Sequence, residues 1–531
     1  MTKFSVGAAA GLIVAAAGFI TLRAQDPVDP VAPAEITELT VSDPICTFFG
    51  PDHDKFVAAL SDTRAASHLT EEVVSKLGTG AKVMTEANYA TALFPSAPGG
   101  SRTDALQHPM NGIIDKYVFQ KLAEQNVAPA PPTTDYEFVR RVTLDLTGRI
   151  PTAAEVVAFV NDTSLDKRTK LVNTLVATPQ WVDKWTVWLG DLYENNSTND
   201  FGANRYLPGV VKFNDFIRTS LQTDKPYNQM AREMIAATGD NSYQQGELNM
   251  LVGSVMGGGP IQDVFDAQTA HVAEKFLGIA HMNCLLCHDG RKHLNSLSLW
   301  GYYKTRNDAY AMSSFMSHTA SMRIPVSSAN NNPYYWALQN NLAVGSSVGG
   351  VTNRTNYTID YQLNTTTGNR PSRVPASGVT TGRVAPAYIM NGATPAPGSN
   401  YRQFLADQVT GDFQFARATV NFVWEYFFGI GIVSPSNQFD PARLDPDNPP
   451  IDCPLVDSPC TLQASHPRLL NELAQDFINS NYNLKSLMKE IVNSRAYQLS
   501  ARYDGTWNPA NERLFARKLV RRLWSEEIHD A

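Results

Sequence analysis

The chain has 531 residues, enough for two or three domains with full-sized cores. Hydrophobic residues make up 43% and charged residues 18%, the balance of a globular protein rather than a disordered one. The formal net charge is -7 and no stretch is strongly basic, which argues against a nucleic-acid partner.

Residues 1–24 read as a signal peptide. Lys3 precedes an apolar run from Phe4 to Ile20, and Leu22 and Ala24 stand three and one residues before a cut ahead of Gln25. The run is shorter than the roughly 20 residues of a membrane span, so cleavage is preferred to an uncleaved anchor, and no membrane span is expected after it. Export places the mature chain in an oxidising space, the periplasm or cell envelope. Residues 25–105 read as a Pro/Asp-rich tether and a small helical region (Phe56, Leu60, Val73, Val74, Leu77), closed by the break Pro95-Ser96-Ala97-Pro98-Gly99-Gly100.

Residues 106–320 read as a helical domain. Ile113, Ile114, Tyr117, Val118 and Leu122 share one face. A helix from Tyr136 to Leu146 runs into the turn at Gly148, and Thr152 with Glu155 forms a capping box for the next helix. Trp181, Trp185 and Trp188 recur at i, i+4 and i+7, a core stripe. Pro226 starts a helix through Met230 and Met234.

Residues 321–398 are rich in Asn, Thr, Ser and Gly and read as an irregular linker, with room for a short strand or two near Tyr357–Thr365. Helical patterning returns over 399–531. Phe413 to Phe427 makes an apolar helix stopping at Gly429, and Leu469, Leu470, Leu473 and Phe477 make another. The sequence stops inside an unfinished helix, which predicts that the protein continues beyond Ala531. The expected fold class is therefore mainly α, two helical domains joined by the irregular segment.

Five cysteines remain. Cys453 and Cys460 share a Pro-rich loop and are expected to form a disulfide. Cys46 is left odd and reads as a buried free thiol. Cys284-Leu285-Leu286-Cys287-His288 carries the chemistry, since Cys-x-x-Cys-His is the attachment signature of haem c. On a helix, residues i, i+3 and i+4 point the same way. Two thiols can then bond the two vinyl groups of a porphyrin while the imidazole of His288 reaches the iron. Val272, Phe276 and Ile279 predict a helix running up to Cys284.

Three rivals stay open: a redox dithiol, a zinc site using Cys284, Cys287, His288 and His293, and a plain disulfide. Haem is preferred because the dithiol reading gives the histidine no role and zinc sites draw ligand pairs from separated segments. Met312 and Met316, four residues apart, are the candidates for the far axial position, although each by itself reads first as core filler. His318 is a further candidate. His281, Met282 and His293 lie too close to the motif to reach the far side of the ring. His271 and His281 read as polar residues on the motif helix, and His108 and His466, each before a proline, as turn residues.

Residues 111–318 resemble the planctomycete cytochrome-associated domain of unknown function fifteen-forty-nine. The resemblance rests on Arg140-Arg141-Val142-Thr143-Leu144-Asp145-Leu146-Thr147-Gly148, Pro151-Thr152, Asp224-Lys225-Pro226-Tyr227, and Phe276-Leu277-Gly278 leading to Cys284, Cys287, His288 and Asp289. Residues 385–531 resemble its companion, domain of unknown function fifteen-fifty-three, through Phe415-Ala416-Arg417-Ala418, Phe428-Gly429-Ile430-Gly431, Ser465-His466-Pro467, Ser494-Arg495-Ala496-Tyr497-Gln498-Leu499-Ser500 and Arg521-Arg522-Leu523. The resemblance implies a large envelope protein, encoded beside another exported protein, and supplies no established activity. Many relatives read Cys-His-Asp-His-Pro, where this chain has His288-Asp289-Gly290.

The leading expectation is an exported c-type haem protein moving electrons in the envelope, with a redox partner or the companion exported protein. The alternatives are an envelope enzyme with an open haem site or a hydrolytic site, and a non-enzymatic surface or binding protein whose motif is structural.

Overall fold

The computed structural model describes residues 112–197, 205–327, 330–375, 382–451 and 459–530; the leader, Cys46, His108 and Cys453 lie outside them. α1 (Ile113–Glu124) buries Ile114, Val118 and Leu122, one helical stripe. α2 (Asp135–Thr147) starts at Thr134, whose hydroxyl accepts the Glu137 N–H, and ends at Gly148 in the left-handed region, φ 72°. α3 (Ala153–Asn161) opens on the expected capping box. The Thr152 hydroxyl accepts the Glu155 N–H at 3.3 Å, and the Glu155 carboxylate accepts the Thr152 N–H at 2.8 Å. α4 (Lys167–Val176) and α5 (Pro179–Leu192) follow, then α6 (Leu207–Gln222) and α7 (Tyr227–Ala236), the last burying Met230 and Met234. α8 (Asn249–Val252) leads to the long α9 (Ile261–Leu277), and α10 (Met282–Leu285), α11 (Leu299–Tyr302) and α12 (Arg306–Ser313) complete the first helical block.

The polar stretch after it is more regular than its composition predicts. β1 (Thr319–Ser327) and β2 (Asn330–Asn340) form an antiparallel hairpin in register from Thr319↔Asn340 to Pro325↔Tyr334. Along β1, Ala320, Met322 and Ile324 are buried while Arg323 is exposed, the period-2 alternation of a one-sided strand. Two smaller pairs follow, β3 (Ser347–Val348) with β4 (Val351–Thr352), and β5 (Tyr361–Gln362) with β6 (Arg383–Val384). β5 falls within the stretch expected to hold a strand. α13 (Tyr401–Gly411), α14 (Phe413–Phe428), α15 (Pro467–Asn479), α16 (Leu484–Asn493) and α17 (Ser525–Asp530) end the chain. α14 stops where expected, at Gly429 with φ 80°. The fold is mainly α, and its strands form only two-stranded sheets among the described residues.

The two helical blocks interlock. α1 packs on α15, α4 on α16, and α9 on α14. All described residues belong to one compact unit, Ala65–Ala531. The two stretches that carry the family resemblances meet directly. Arg141 Nη1 donates to the carbonyls of Tyr497 at 2.8 Å and Leu499 at 2.7 Å, and the Arg495 and Ala496 N–H groups donate to Asp115 at 3.1 and 3.0 Å. Trp185 joins the same core, its ring 4.9 Å from Tyr426 and 5.7 Å from Phe427. Of the expected core stripe, Trp181 and Trp185 are buried, whereas Trp188 is half-buried. No helix among the described residues is long and apolar enough to cross a membrane.

Candidate functional site

The helix leading to the motif is broken rather than continuous. α9 ends at Gly278, whose φ of 67° is left-handed. A Cβ there would lie 2.6 Å from the Phe439 ring, so close approach as well as backbone conformation requires glycine. The chain then runs beside residues 437–439. The Ala280 N–H donates to Asn437 O at 2.8 Å, and the Phe439 N–H donates to Gly278 O at 2.9 Å. Sequence periodicity carried the helix on through Ile279 because Val272, Phe276 and Ile279 are all buried, on whichever element they sit.

α10 and the turn after it hold the motif. The His288 N–H donates to Cys284 O at 2.9 Å and the Cys287 N–H to the same carbonyl at 3.0 Å. Cys284, Cys287 and His288 therefore occupy one helical turn, at the i, i+3 and i+4 positions that share a face. Neither cysteine is in a disulfide; Cys284 is buried, while Cys287 and His288 are half-buried. Leu285 and Leu286 point into the core and anchor the turn. Asp289 Oδ1 accepts the Arg306 N–H at 2.8 Å, tying the motif to the start of α12.

His293 lies against His288 with ring centroids 4.1 Å apart and planes 21° from parallel. Gly290 permits the tight turn between them: a Cβ there would lie 1.7 Å from Gly301 O. That backbone contact leaves no room for a side chain at position 290.

A charged layer that the sequence did not reveal covers one side of the motif. Arg370 Nη1 donates to Cys287 Sγ at 3.3 Å, and its Nη2 to Asn283 Oδ1 at 2.6 Å. Arg370 Nε lies 3.7 Å from Asp266 Oδ2. Arg373, fully buried, donates to Asp266 Oδ2 at 2.8 Å and also pairs with Asp263. The Tyr361 hydroxyl donates to Asp266 at 3.1 Å, and Tyr310 stacks on Tyr361 at 5.2 Å. Burial pushes the Tyr310 phenol up to about 12. Arg370 and Arg373 lie in the stretch expected to be linker, 83 and 107 residues from their partners Cys287 and Asp266. Only the long-range fold brings them there.

The other predicted residues are placed as follows. Met312, on α12, and Met316, in the turn at Ser314–Met316, are both fully buried. α12 packs on α10, whereas the Met316 turn packs on α9, α12 and α13. His318 leaves the motif region altogether: its Nδ1 is 2.7 Å from Asn341 Oδ1 and its ring stacks on Tyr401. His271 and His281 are buried, and burial pulls them down to about 3 and about 4. His466, read as a turn residue, is buried at the start of α15 and is likewise pulled down to about 3. Among the described residues, no group of three or more His, Cys, Asp or Glu side chains converges to hold a metal ion. The four-ligand zinc arrangement at Cys284, Cys287, His288 and His293 therefore gains no geometric support.

Fold and site define a mainly α protein built around a Cys-x-x-Cys-His turn. Residues 113–319 match the family model PSCyt2, a protein of unknown function (DUF1549), and residues 455–531 match PSD1, a protein of unknown function (DUF1553). The chain carries these two family domains in that order. The second match begins at 455, so the resembling stretches between 415 and 431 lie ahead of it. No curated protein and no solved structure matches the chain.

Proposed function

We propose that this chain is an exported c-type haem protein that passes single electrons in the cell envelope. The observation that supports this most is the helical turn placing Cys284, Cys287 and His288 on one face. The donor set suits the group: two cysteines three residues apart on one helical turn and an adjacent imidazole. Bound there, a haem supplies a one-electron centre whose potential follows from its far ligand, burial and neighbouring charges.

The chain's own residues have separable tasks in this reading. Cys284 and Cys287 would hold the group, and His288 would bind its iron. Asp289, fixed by the Arg306 N–H, sets the direction in which the chain leaves the motif. Arg370 places a positive charge beside Cys287, and Asp266 and Arg373 hold that charge in position. Met312 is carried on α12, which packs on α10, so of the two methionines it is the one that would stand by a group held at the motif. Leader cleavage, the Cys453–Cys460 disulfide and an envelope redox partner belong to the same proposal.

The test is a pyridine haemochrome assay on full-length protein made with the c-type maturation machinery. One covalently held haem per chain is expected; protein that emerges without haem overturns the reading. A second reading rests on Arg370 and Asn283, which already brace the Cys287 turn. In it the motif is a structural element of a non-enzymatic binding protein, and the same assay returns no haem while the fold is intact.

A further inference from the structure

A cavity of about 520 Å³, lined by none of the motif residues, lies between the end of α5, the end of α9 and the second half of α14. Its volume suits a small organic molecule. Trp188, Phe422, Tyr426 and Trp524 supply an aromatic wall, and Asp191, Glu194, Glu274 and Glu425 face one ammonium, Lys275. We infer that this cavity binds a small organic cation, an amine or quaternary ammonium carried on an aliphatic or ring body.

Three observations support the assignment. Four carboxylates against one ammonium leave a strong negative excess, and the lysine is already held by Glu194 at 2.6 Å and Glu274 at 3.1 Å. The carboxylates do not converge as a metal site does, since no group of three or more such ligands among the described residues could hold a metal ion. An aromatic wall also suits an organic cation better than a bare ion, because a ring face attracts a positive charge. Two of its rings already attract two of the protein's own cations, both outside the lining: Lys184 Nζ stands 5.1 Å from the ring centroids of both Tyr426 and Trp524, and the Arg521 guanidinium stands 4.9 and 6.0 Å from the same two centroids.

The polar side chains are also pre-arranged. Asn437 Nδ2 donates to Glu274 at 3.0 Å, and the neighbouring Ser436 hydroxyl donates to Glu425 at 2.5 Å. Adjacent residues thus hold two carboxyl groups on one side of the cavity. Burial raises the Glu425 carboxyl above its ordinary range, and the Ser436 hydrogen bond offsets part of that rise.

The test titrates full-length protein with spermidine, choline and glucosamine by calorimetry, with N-acetylglucosamine and calcium chloride as controls. At least one of the three cations is expected to bind, weakening as salt is added. Asp191→Asn, at an exposed position on the cavity edge, and Glu274→Gln are each expected to weaken binding about tenfold, the loss of one charge-assisted contact. Asp191→Asn carries the test if Glu274→Gln does not fold. Absence of binding by all three cations overturns the inference. So does N-acetylglucosamine binding as tightly as glucosamine, which would make this a neutral-sugar site. Calcium competing with the cations would make it a metal site and overturns the inference as well. None of these outcomes depends on whether haem is attached at Cys284 and Cys287.

Discussion

The Tyr497 hydroxyl donates to Asp145 Oδ2 at 2.9 Å across 352 residues of sequence. Asp145 also meets Arg521 at 3.1 Å and Lys518 at 3.6 Å, and all of this is buried or nearly so. Burial alone would raise the Asp145 carboxyl, but Lys518, Arg521 and Lys184 together hold it below its ordinary value. One aspartate thus joins the two family domains into a single core.

Asp145→Asn keeps the shape and removes the charge, leaving the buried Lys518 without its carboxylate and Arg521 with Glu527 alone. Breaking a buried pair in this way costs about 3–5 kcal/mol. Chemical denaturation of the variant is expected to show a loss of that order, with both domains unfolding earlier. Destabilisation confined to one domain would contradict the interlocked arrangement.

Arg373 tests the layer beside the motif. Its guanidinium and both of its carboxylate partners, Asp263 and Asp266, are fully buried. Arg373→Met leaves two carboxylates competing for Arg370, and a loss of about 3–5 kcal/mol is expected from thermal or denaturant melts. A variant as stable as the parent would mean the layer is not formed as described.

Gly290→Ala probes the turn between the two stacked histidines. The added Cβ meets Gly301 O at 1.7 Å, so backbone must move, at an overpacking cost of about 1–3 kcal/mol. A lower melting temperature is expected, and a reduced yield of haem-loaded protein if the proposed function holds. Unchanged melting would show that this loop has room the structure does not give it.

The buried histidines set the acid response. His271 and His466 are pulled down to about 3 and His281 to about 4, burial being the main cause in each. Above pH 6.5 these rings are neutral folded or unfolded, and their contribution is complete. As the pH falls below 6.5 the unfolded chain takes up protons that the folded chain refuses until about 3 to 4. Stability is therefore lost across that window. Melting temperature should drop between pH 7 and pH 5, and His466→Gln should flatten part of the drop. A profile that stays level down to pH 5 would contradict the burial of these rings.

Local signals were the readable part of this fold. The capping box at Thr152 and Glu155, the stops at Gly148 and Gly429, and the Trp181 and Trp185 stripe depend on residues within a few positions of one another, and all stand as expected. The β1–β2 hairpin was hidden because its Asn and Pro content outweighed a short alternation, Met322-Arg323-Ile324. The break at Gly278 was missed for a different reason: apolar spacing reports burial, and burial continues past the end of α9. Leu277-Gly278 was the available stop signal. At the site, the motif and the spacing of its three residues were legible. Arg370 was not, because nothing local ties a surface-like Asn-Arg-Pro-Ser-Arg stretch to a cysteine 83 residues earlier.

The most direct check is the intact mass of denatured, acid-acetone-extracted chain, purified from cells that attach haem c, beside a Cys284→Ser/Cys287→Ser variant. If the motif carries covalent haem, the parent keeps the mass and visible absorbance of one haem through extraction, and the double variant keeps neither. A parent chain that comes through at its polypeptide mass, colourless, while folding as described, would contradict that reading.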